Sequence, residues 1–272
     1  MASRFTDGPH SVSGVMSWVT NCAAIQHDQR HREGPEGRDV YRALLASGIL
    51  RKTDPVAASV WSKQLEPVYF PPGHVVGTQS DFGGRLYVII SGKVKVSYRH
   101  PGGCEVTLTV LGPSEIFGAA PLFDPGSHET SVTTLSEVMA VPIDRRQLLA
   151  WIAQCPEVGA QMLRLFARWT KATTNCFIDF TFADVQSRVA SRLLLLWKRF
   201  GRQEGEVVRV PRDLTWEDFS LLVGVSPETI GETLRDFEDR GWIRLEDTSV
   251  VIVDAQSLTS VRVTSMSEVR CA

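Results

Sequence analysis

Between Glu66 and Pro142 apolar and polar residues alternate with a period of two, and on either side the period lengthens to three and four. The alternating runs Arg85–Ser91, Lys93–Arg99 and Glu105–Leu111 are rich in Val, Ile, Tyr and Thr. Glycine-containing turns separate the runs: Pro72-Gly73, Gly83-Gly84, Ser91-Gly92, Pro101-Gly102-Gly103 and Gly112-Pro113. Many short strands at this spacing predict a small β-barrel or jelly roll, a module that usually holds something in its mouth or interior. Upstream, Tyr41 to about Leu65 is helical in pattern, with Asp54-Pro55 as a cap followed by proline at the first helical position.

Downstream, Cys155-Pro156 opens a long helix. Leu163, Phe166, Thr170, Thr173, Phe177, Phe180 and Asp184 follow at alternating intervals of three and four, an a/d seam that predicts a coiled-coil dimer contact. Thr170 and Thr173, with neighbouring Thr174, put hydroxyls where leucine would be more stable. Polar groups at a buried seam need partners, and a bound ligand could supply them. Asp184 can cap a second helix, Val185–Phe200, ended by Gly201, and Glu206–Val210 reads as a strand.

The sharpest local signal comes next. Thr215 and Asp218 form a Thr-x-x-Asp cap ahead of the apolar Phe219, Leu222 and Val223. Gly224 suits a sharp positive-φ turn between crossing helices. Ser226 is a good N-cap and Pro227 a good first residue for a second helix, whose buried face is Ile230, Leu234 and Phe237 and whose terminator is Gly241. Trp242–Leu245 and Val250–Val253 flank the turn Glu246–Ser249 as a β-hairpin. Helix, glycine turn, capped helix and hairpin make a winged helix-turn-helix, the layout of a DNA reader. The second helix is acidic: Glu228, Glu232, Asp236, Glu238 and Asp239 stand against Arg235 and Arg240.

Composition narrows the choice. A net charge of −2 over 272 residues announces no global basic field, so DNA binding must come from a local patch or from dimer geometry. No apolar run reaches the ~20 residues of a membrane helix, and the N-terminus lacks a secretory signal pattern, which predicts a cytoplasmic protein. The five cysteines, Cys22, Cys104, Cys155, Cys176 and Cys271, are scattered and never in CxxC spacing, which argues against zinc and iron–sulfur clusters. GxSxG, HExxH and Walker patterns are absent, so no enzyme and no catalytic residue is expected.

The segments "EIFGAAPLF", "FADVQSRVASRLL" and "TWEDFSLLVGVSPETIGETLRDFEDRGWI" resemble the pocket cassette, hinge and DNA-binding motif of the cyclic-AMP receptor/fumarate-nitrate regulator family. The similarity covers roughly Tyr41 to Val253 and suits an actinobacterial, mycobacterial-type member. In that family two arginines and a glutamate of the recognition helix reach base edges. Glu228 matches the glutamate, whereas Pro227 and Glu232 occupy the arginine positions. Thr215, Ser226 and Thr229 match positions that touch phosphates or bases, and Arg235 is a further cation expected near DNA, as are Arg188, Arg192 and Arg244. In the pocket, the family's glutamate after the cassette glycine binds the ribose and an Arg-Ser pair binds the cyclic phosphate. Here Ala119 follows Gly118, and the pair is Glu129-Thr130, while Thr173 and Thr174 match the hydroxyl pair that contacts adenine. The resemblance therefore implies cyclic AMP as a cofactor that binds weakly or in a non-standard pose.

Together these readings predict an α+β protein: an arm over 1–38, a cyclic-nucleotide-binding-like β-barrel (jelly roll) over 39–153, a coiled-coil dimerisation helix over 154–183, a winged helix-turn-helix over 184–256 and a tail over 257–272. The expected function is a homodimeric transcription regulator on a pseudo-palindromic operator in double-stranded DNA, with RNA polymerase as a candidate partner and no membrane. Two alternatives stay open. The same dimer could be switched by thiol chemistry at Cys155, which sits at a helix start where unpaired N–H groups favour a thiolate, or at Cys176. The chain could instead be a regulatory or interaction module that binds no DNA.

Overall fold

The computed structural model describes residues 36–78, 84–100, 102–103, 105–124, 130–205, 207–211 and 213–268. The expected arm lies almost wholly outside the described residues, as do Cys22, Cys104, Glu129 and Cys271.

Eight antiparallel strands build the N-terminal β domain as two four-stranded sheets, with β1 (Val68–Phe70), β8 (Val138–Asp144), β3 (Arg85–Ser91) and β6 (Ile116–Phe117) in one. The other holds β2 (Val75–Thr78), β7 (Thr130–Thr134), β4 (Val94–Arg99) and β5 (Glu105–Leu111). Phe70, Ile89, Val94, Leu111, Phe117, Val132, Val138 and Ala140, drawn from both sheets, close one core between them. This domain is thus a jelly-roll sandwich, and among the described residues its sheets do not close into a continuous barrel.

The first sheet is buried on its other face too. Leu86, Val88, Val141 and Ile143 turn away from the sandwich and pack under helices α1 (Glu36–Ser47), α2 (Pro55–Ser62), α3 (Ala119–Phe123) and α4 (Arg145–Gln154). Two-sided burial explains why β3 reads Leu-Tyr-Val-Ile-Ile with little polar alternation. The helical run from Tyr41 divides in two, because Asp54 caps α2 by accepting from the Ala57 N–H at 3.0 Å with Pro55 at the first position. Trp61 of α2 and Trp151 of α4 stack at 5.2 Å, joining the flanking helices into one layer.

Helix α5 (Pro156–Phe182) is the long helix. Its first turns bury Val158, Met162 and Leu165 in the helix layer, and Phe166 joins them. Of the expected seam, Leu163, Thr170, Thr173, Phe177 and Phe180 are exposed along this chain, Leu163 and Phe177 by about 70% (72% and 69%). Phe166 departs from the seam pattern because it packs edge-on against Phe123 of α3, at 5.7 Å.

After Ala183, helix α6 (Val185–Phe200) opens the C-terminal unit, capped by Asp184 on the Ser187 N–H at 2.7 Å. A sheet in the order β11-β12-β10-β9 follows, with β9 (Arg202–Glu204), β10 (Val207–Pro211), β11 (Ile243–Glu246) and β12 (Ser249–Ile252). It packs with α7 (Trp216–Val223) and α8 (Pro227–Asp239) around Val189, Leu193, Phe219, Ile230, Leu234 and Phe237. The range expected as a tail begins inside α9 (Ala255–Glu268), which lies along α6. Leu258 is fully buried in this core, and the Ser187 hydroxyl donates to the Val261 carbonyl at 3.0 Å.

Candidate nucleic-acid interface and sensor pocket

The reading motif is assembled by three local devices. Thr215 accepts from the Asp218 N–H at 3.0 Å and starts α7. Gly224 ends it in the left-handed region (φ 77°, ψ 43°), its N–H donating to the Ser220 carbonyl at 2.7 Å. Only glycine fits twice over here: a Cβ would meet the Phe180 ring of α5 at 2.4 Å, besides the backbone strain. Ser226 then starts α8, accepting from the Thr229 N–H at 3.3 Å with Pro227 in the first turn.

These caps leave Thr215, Ser226, Pro227, Glu228, Glu232 and Arg235 exposed together and Thr229 half-buried, while Ile230, Thr233, Leu234 and Phe237 face inward. The Glu228 carboxyl is held below its ordinary range by a hydrogen bond from its own backbone N–H and by one from Ser226. It is thus an exposed acceptor at a helix N-terminus. The acidity of α8 is partly internal. Asp236 pairs with Arg240 at 2.9 Å, and Glu238 accepts from the Leu245 N–H at 2.7 Å, tying α8 to the wing. Arg235 reaches back to the Gly231 carbonyl at 3.1 Å, and Arg244 pairs with Glu246 at 3.2 Å.

Arg188 and Arg192 serve the joint between α5 and α6, contrary to the expectation of phosphate partners. Their guanidinium groups lie 5.6 and 5.7 Å from the Phe180 ring centroid, and Arg192 is 8% exposed. Arg192 Nη2 donates to Cys176 Sγ at 2.8 Å. Cys155, between α4 and α5, packs half-buried against the helix layer and makes no side-chain cap.

In the sensor, Gly118 takes a left-handed conformation (φ 76°, ψ 7°) between β6 and α3. Ala119 follows with 2% exposure, inside the helix-layer core with Leu122. Thr130 opens β7 opposite Tyr98 of β4. Thr173 and Thr174 stand exposed on α5, the Thr174 hydroxyl donating to the Thr170 carbonyl at 2.9 Å. The Phe123–Phe166 contact joins the cassette helix to α5 and so ties the cassette to the helix that carries the threonines. Among the described residues no group of three or more His, Cys, Asp and Glu side chains could hold a metal, and no helix is long and apolar enough to cross a membrane.

Residues 67–155 match the cyclic nucleotide-binding domain, and residues 187–261 match the Crp-like helix-turn-helix domain. The CRP-like cAMP-activated global transcriptional regulator of Mycobacterium tuberculosis is 49% identical over 215 residues, 79% of this chain and 96% of that protein. The chain belongs to the Crp/Fnr family. It is a Crp/Fnr-type DNA-binding transcription regulator with a cyclic nucleotide-binding domain. The Cyclic AMP receptor protein of Thermus thermophilus is 28% identical over 217 residues, 80% of this chain and 95% of the relative. FixK2 from Bradyrhizobium japonicum shares the fold at 14% identity and a TM-score of 0.65, over 72% of this chain and 96% of that one. The winged-helix match extends to residue 261, into α9.

Sequence reasoning missed α9, the packing of Phe180 on Gly224, and a set of ion pairs between the sensor and the winged helix. Each joins residues far apart in the chain, and no local pattern marks them.

Proposed function

We propose that this Crp/Fnr regulator works in the cytoplasm as a homodimer on a pseudo-palindromic operator whose half-site departs from the family's usual one. The observation that carries this reading is the exposed N-terminal face of α8, where Glu228 is an acceptor flanked by Pro227 and Glu232. Glu228 can accept from a cytosine amino group, whereas neither neighbour can make the bidentate guanine contact of an arginine. Ser226, Thr229 and Thr215 offer hydroxyls to phosphates or bases, and Arg235 adds a cation. The apolar stripe of α5 supplies the dimer contact, and two-fold symmetry places half-sites about one helical turn apart, ~10 base pairs. RNA polymerase is the partner such a promoter-bound dimer would engage.

Selection from duplexes randomised at each half-site tests this. Wild type should recover a paired site, and Glu228→Ala should lose preference at one base pair per half-site, about 1–3 kcal/mol of discrimination. A variant with the wild-type preference at every position would refute the role of Glu228. Recovery of single, unpaired half-sites by wild type would refute the pseudo-palindromic operator.

The sensor reading follows from Ala119. With an alanine in the helix-layer core where the family carries the ribose-binding glutamate, and Glu129 where it carries the phosphate-binding arginine, cyclic AMP meets no carboxylate for its ribose and a like charge at its phosphate. Thr130, Thr173 and Thr174, with backbone N–H groups beside Gly118, remain as polar contacts. Binding is therefore weak, and calorimetry should show it tightened by Glu129→Arg. Tight wild-type binding would overturn the pocket assignment.

A further inference from the structure

The winged-helix unit is held by more than the joint after Ala183. The face of the sensor formed by β4, β5 and the turn after β7 presses against it, so that Val110 is 2% exposed and belongs, with Leu135 at its edge, to the core of the DNA-reading unit. Around this apolar contact stand three ion pairs that bridge 84 to 123 residues of sequence: Lys95 with Asp218, Lys93 with Asp213, and Arg199 with Glu115. Arg199 also donates to Thr109 Oγ1 at 3.1 Å. The Lys95 and Asp218 side chains are only 17% and 15% exposed. Phe200, the last residue of α6, lies under the Lys93 ammonium at 4.5 Å and so close to Gly112 that a Cβ there would stand 2.5 Å from the ring. Asp218 is the third residue of α7, and the Thr215 hydroxyl that caps this helix is also bonded to its carboxylate, at 3.1 Å. On the sensor side, Lys95 faces Thr133 and Tyr98 faces Thr130 in the β4–β7 ladder, so the strand that grips α7 is hydrogen-bonded to the strand that opens at the cassette's Thr130.

We propose that the β4–β5 hairpin is the sensor's handle on the DNA-reading unit, with Lys95, Lys93 and Arg199 as positioning residues that set the orientation of α7 and α8 for the operator. Two extended residues, Ala183 and Asp184, join α5 to α6, and the contacts of Phe180 with Gly224, Arg188 and Arg192 hold the reading unit at that end alone, whereas two recognition helices must lie at a fixed separation to enter successive major grooves. Docking on the hairpin removes this freedom before DNA arrives, so the ordering cost is not charged against binding. The docked arrangement leaves Thr215, Ser226, Glu228 and Glu232 exposed, which makes it a positioning contact and not an occluding one. Partly buried charges are screened little by salt, and removing one leaves its partner uncompensated, which gives the contact a defined geometry.

The test uses the full-length protein, an operator duplex selected as above, and hydrogen exchange without DNA or ligand, so neither the half-site nor the cyclic-AMP reading enters the second readout. Lys95→Glu should raise amide exchange in α7 and β5 and lower operator affinity by about tenfold. Lys95→Glu combined with Asp218→Lys should restore both, and the double-mutant cycle should show coupling between the two sites. Gly112→Val, which alters no charge and wedges Phe200 away, should lower operator affinity in the same way and cover the case that the charge variants fold poorly. Unchanged exchange and affinity in Lys95→Glu and Gly112→Val, or a double variant without coupling, would overturn the proposal. So would an affinity that rises in Gly112→Val, since the hairpin would then restrain the reading unit instead of positioning it.

Discussion

The reading helix and the pocket cassette depart from the family's side-chain pattern in opposite physical settings. In α8 the substituted positions, Pro227 and Glu232, are exposed, and the backbone under them is set by the Ser226 cap, the Gly224 turn and the Phe237 face. In the cassette the substituted position, Ala119, is 2% exposed and belongs to the helix-layer core. A surface tip can change chemistry without disturbing the frame that presents it. A core position cannot, because its side chain is also packing. Under the function proposed above, recognition is rewritten at the DNA face and weakened at the pocket.

Three variants probe that contrast, from large effect to small. Phe237→Ala should remove the packing under the reading helix and cost about 3–5 kcal/mol, read by denaturant unfolding of the C-terminal unit. A loss below ~1 kcal/mol, smaller than an ordinary core truncation, would mean that the frame does not rest on this face. Ala119→Glu should destabilise the sensor by roughly 1–3 kcal/mol, because a carboxylate would enter an apolar layer. Burial raises the folded pKa of such a group, so the deficit should be small at acidic pH and grow as pH rises through the carboxylate range. A variant as stable as wild type at neutral pH would place Ala119 on a pocket wall and weaken the contrast.

The smallest effect concerns Glu228. Its folded pKa is depressed by its own N–H and by Ser226, so its contribution to stability is present above the unfolded carboxylate pKa and fades as pH falls through the folded value. A side-chain NMR titration should show Glu228 below the ordinary glutamate range. Ser226→Ala should move it back up, and should also cost α8 about 1 kcal/mol as a lost N-cap. A Glu228 that titrates normally in wild type would show that neither its own N–H nor Ser226 stabilises the carboxylate.

Much of this architecture is written in short-range patterns. Strands β4 and β5 and helix α6 follow directly from period and caps, since alternation, an Asp or Ser cap and a terminating glycine act within a few residues. The winged helix-turn-helix was legible for the same reason: Thr215, Gly224, Ser226 and Pro227 each satisfy a local backbone requirement. Helix α9 left no comparable mark, because its polar sequence shows no amphipathic stripe; over 255–261, where burial is described, Leu258 is the buried residue. Other features depended on the tertiary structure. Phe166 has the spacing of a seam residue, but Phe123 covers it. Arg192 reads as a surface cation, yet it is buried beside Cys176 and Phe180. Lys95 and Asp218 are ordinary charges 123 positions apart until the chain brings β4 onto α7. By itself the sequence determined which elements form and how they are capped, because those choices are settled by neighbours three or four residues away. Which faces those elements share, and hence which side chains are free to meet DNA or ligand, was decided only when distant segments packed together.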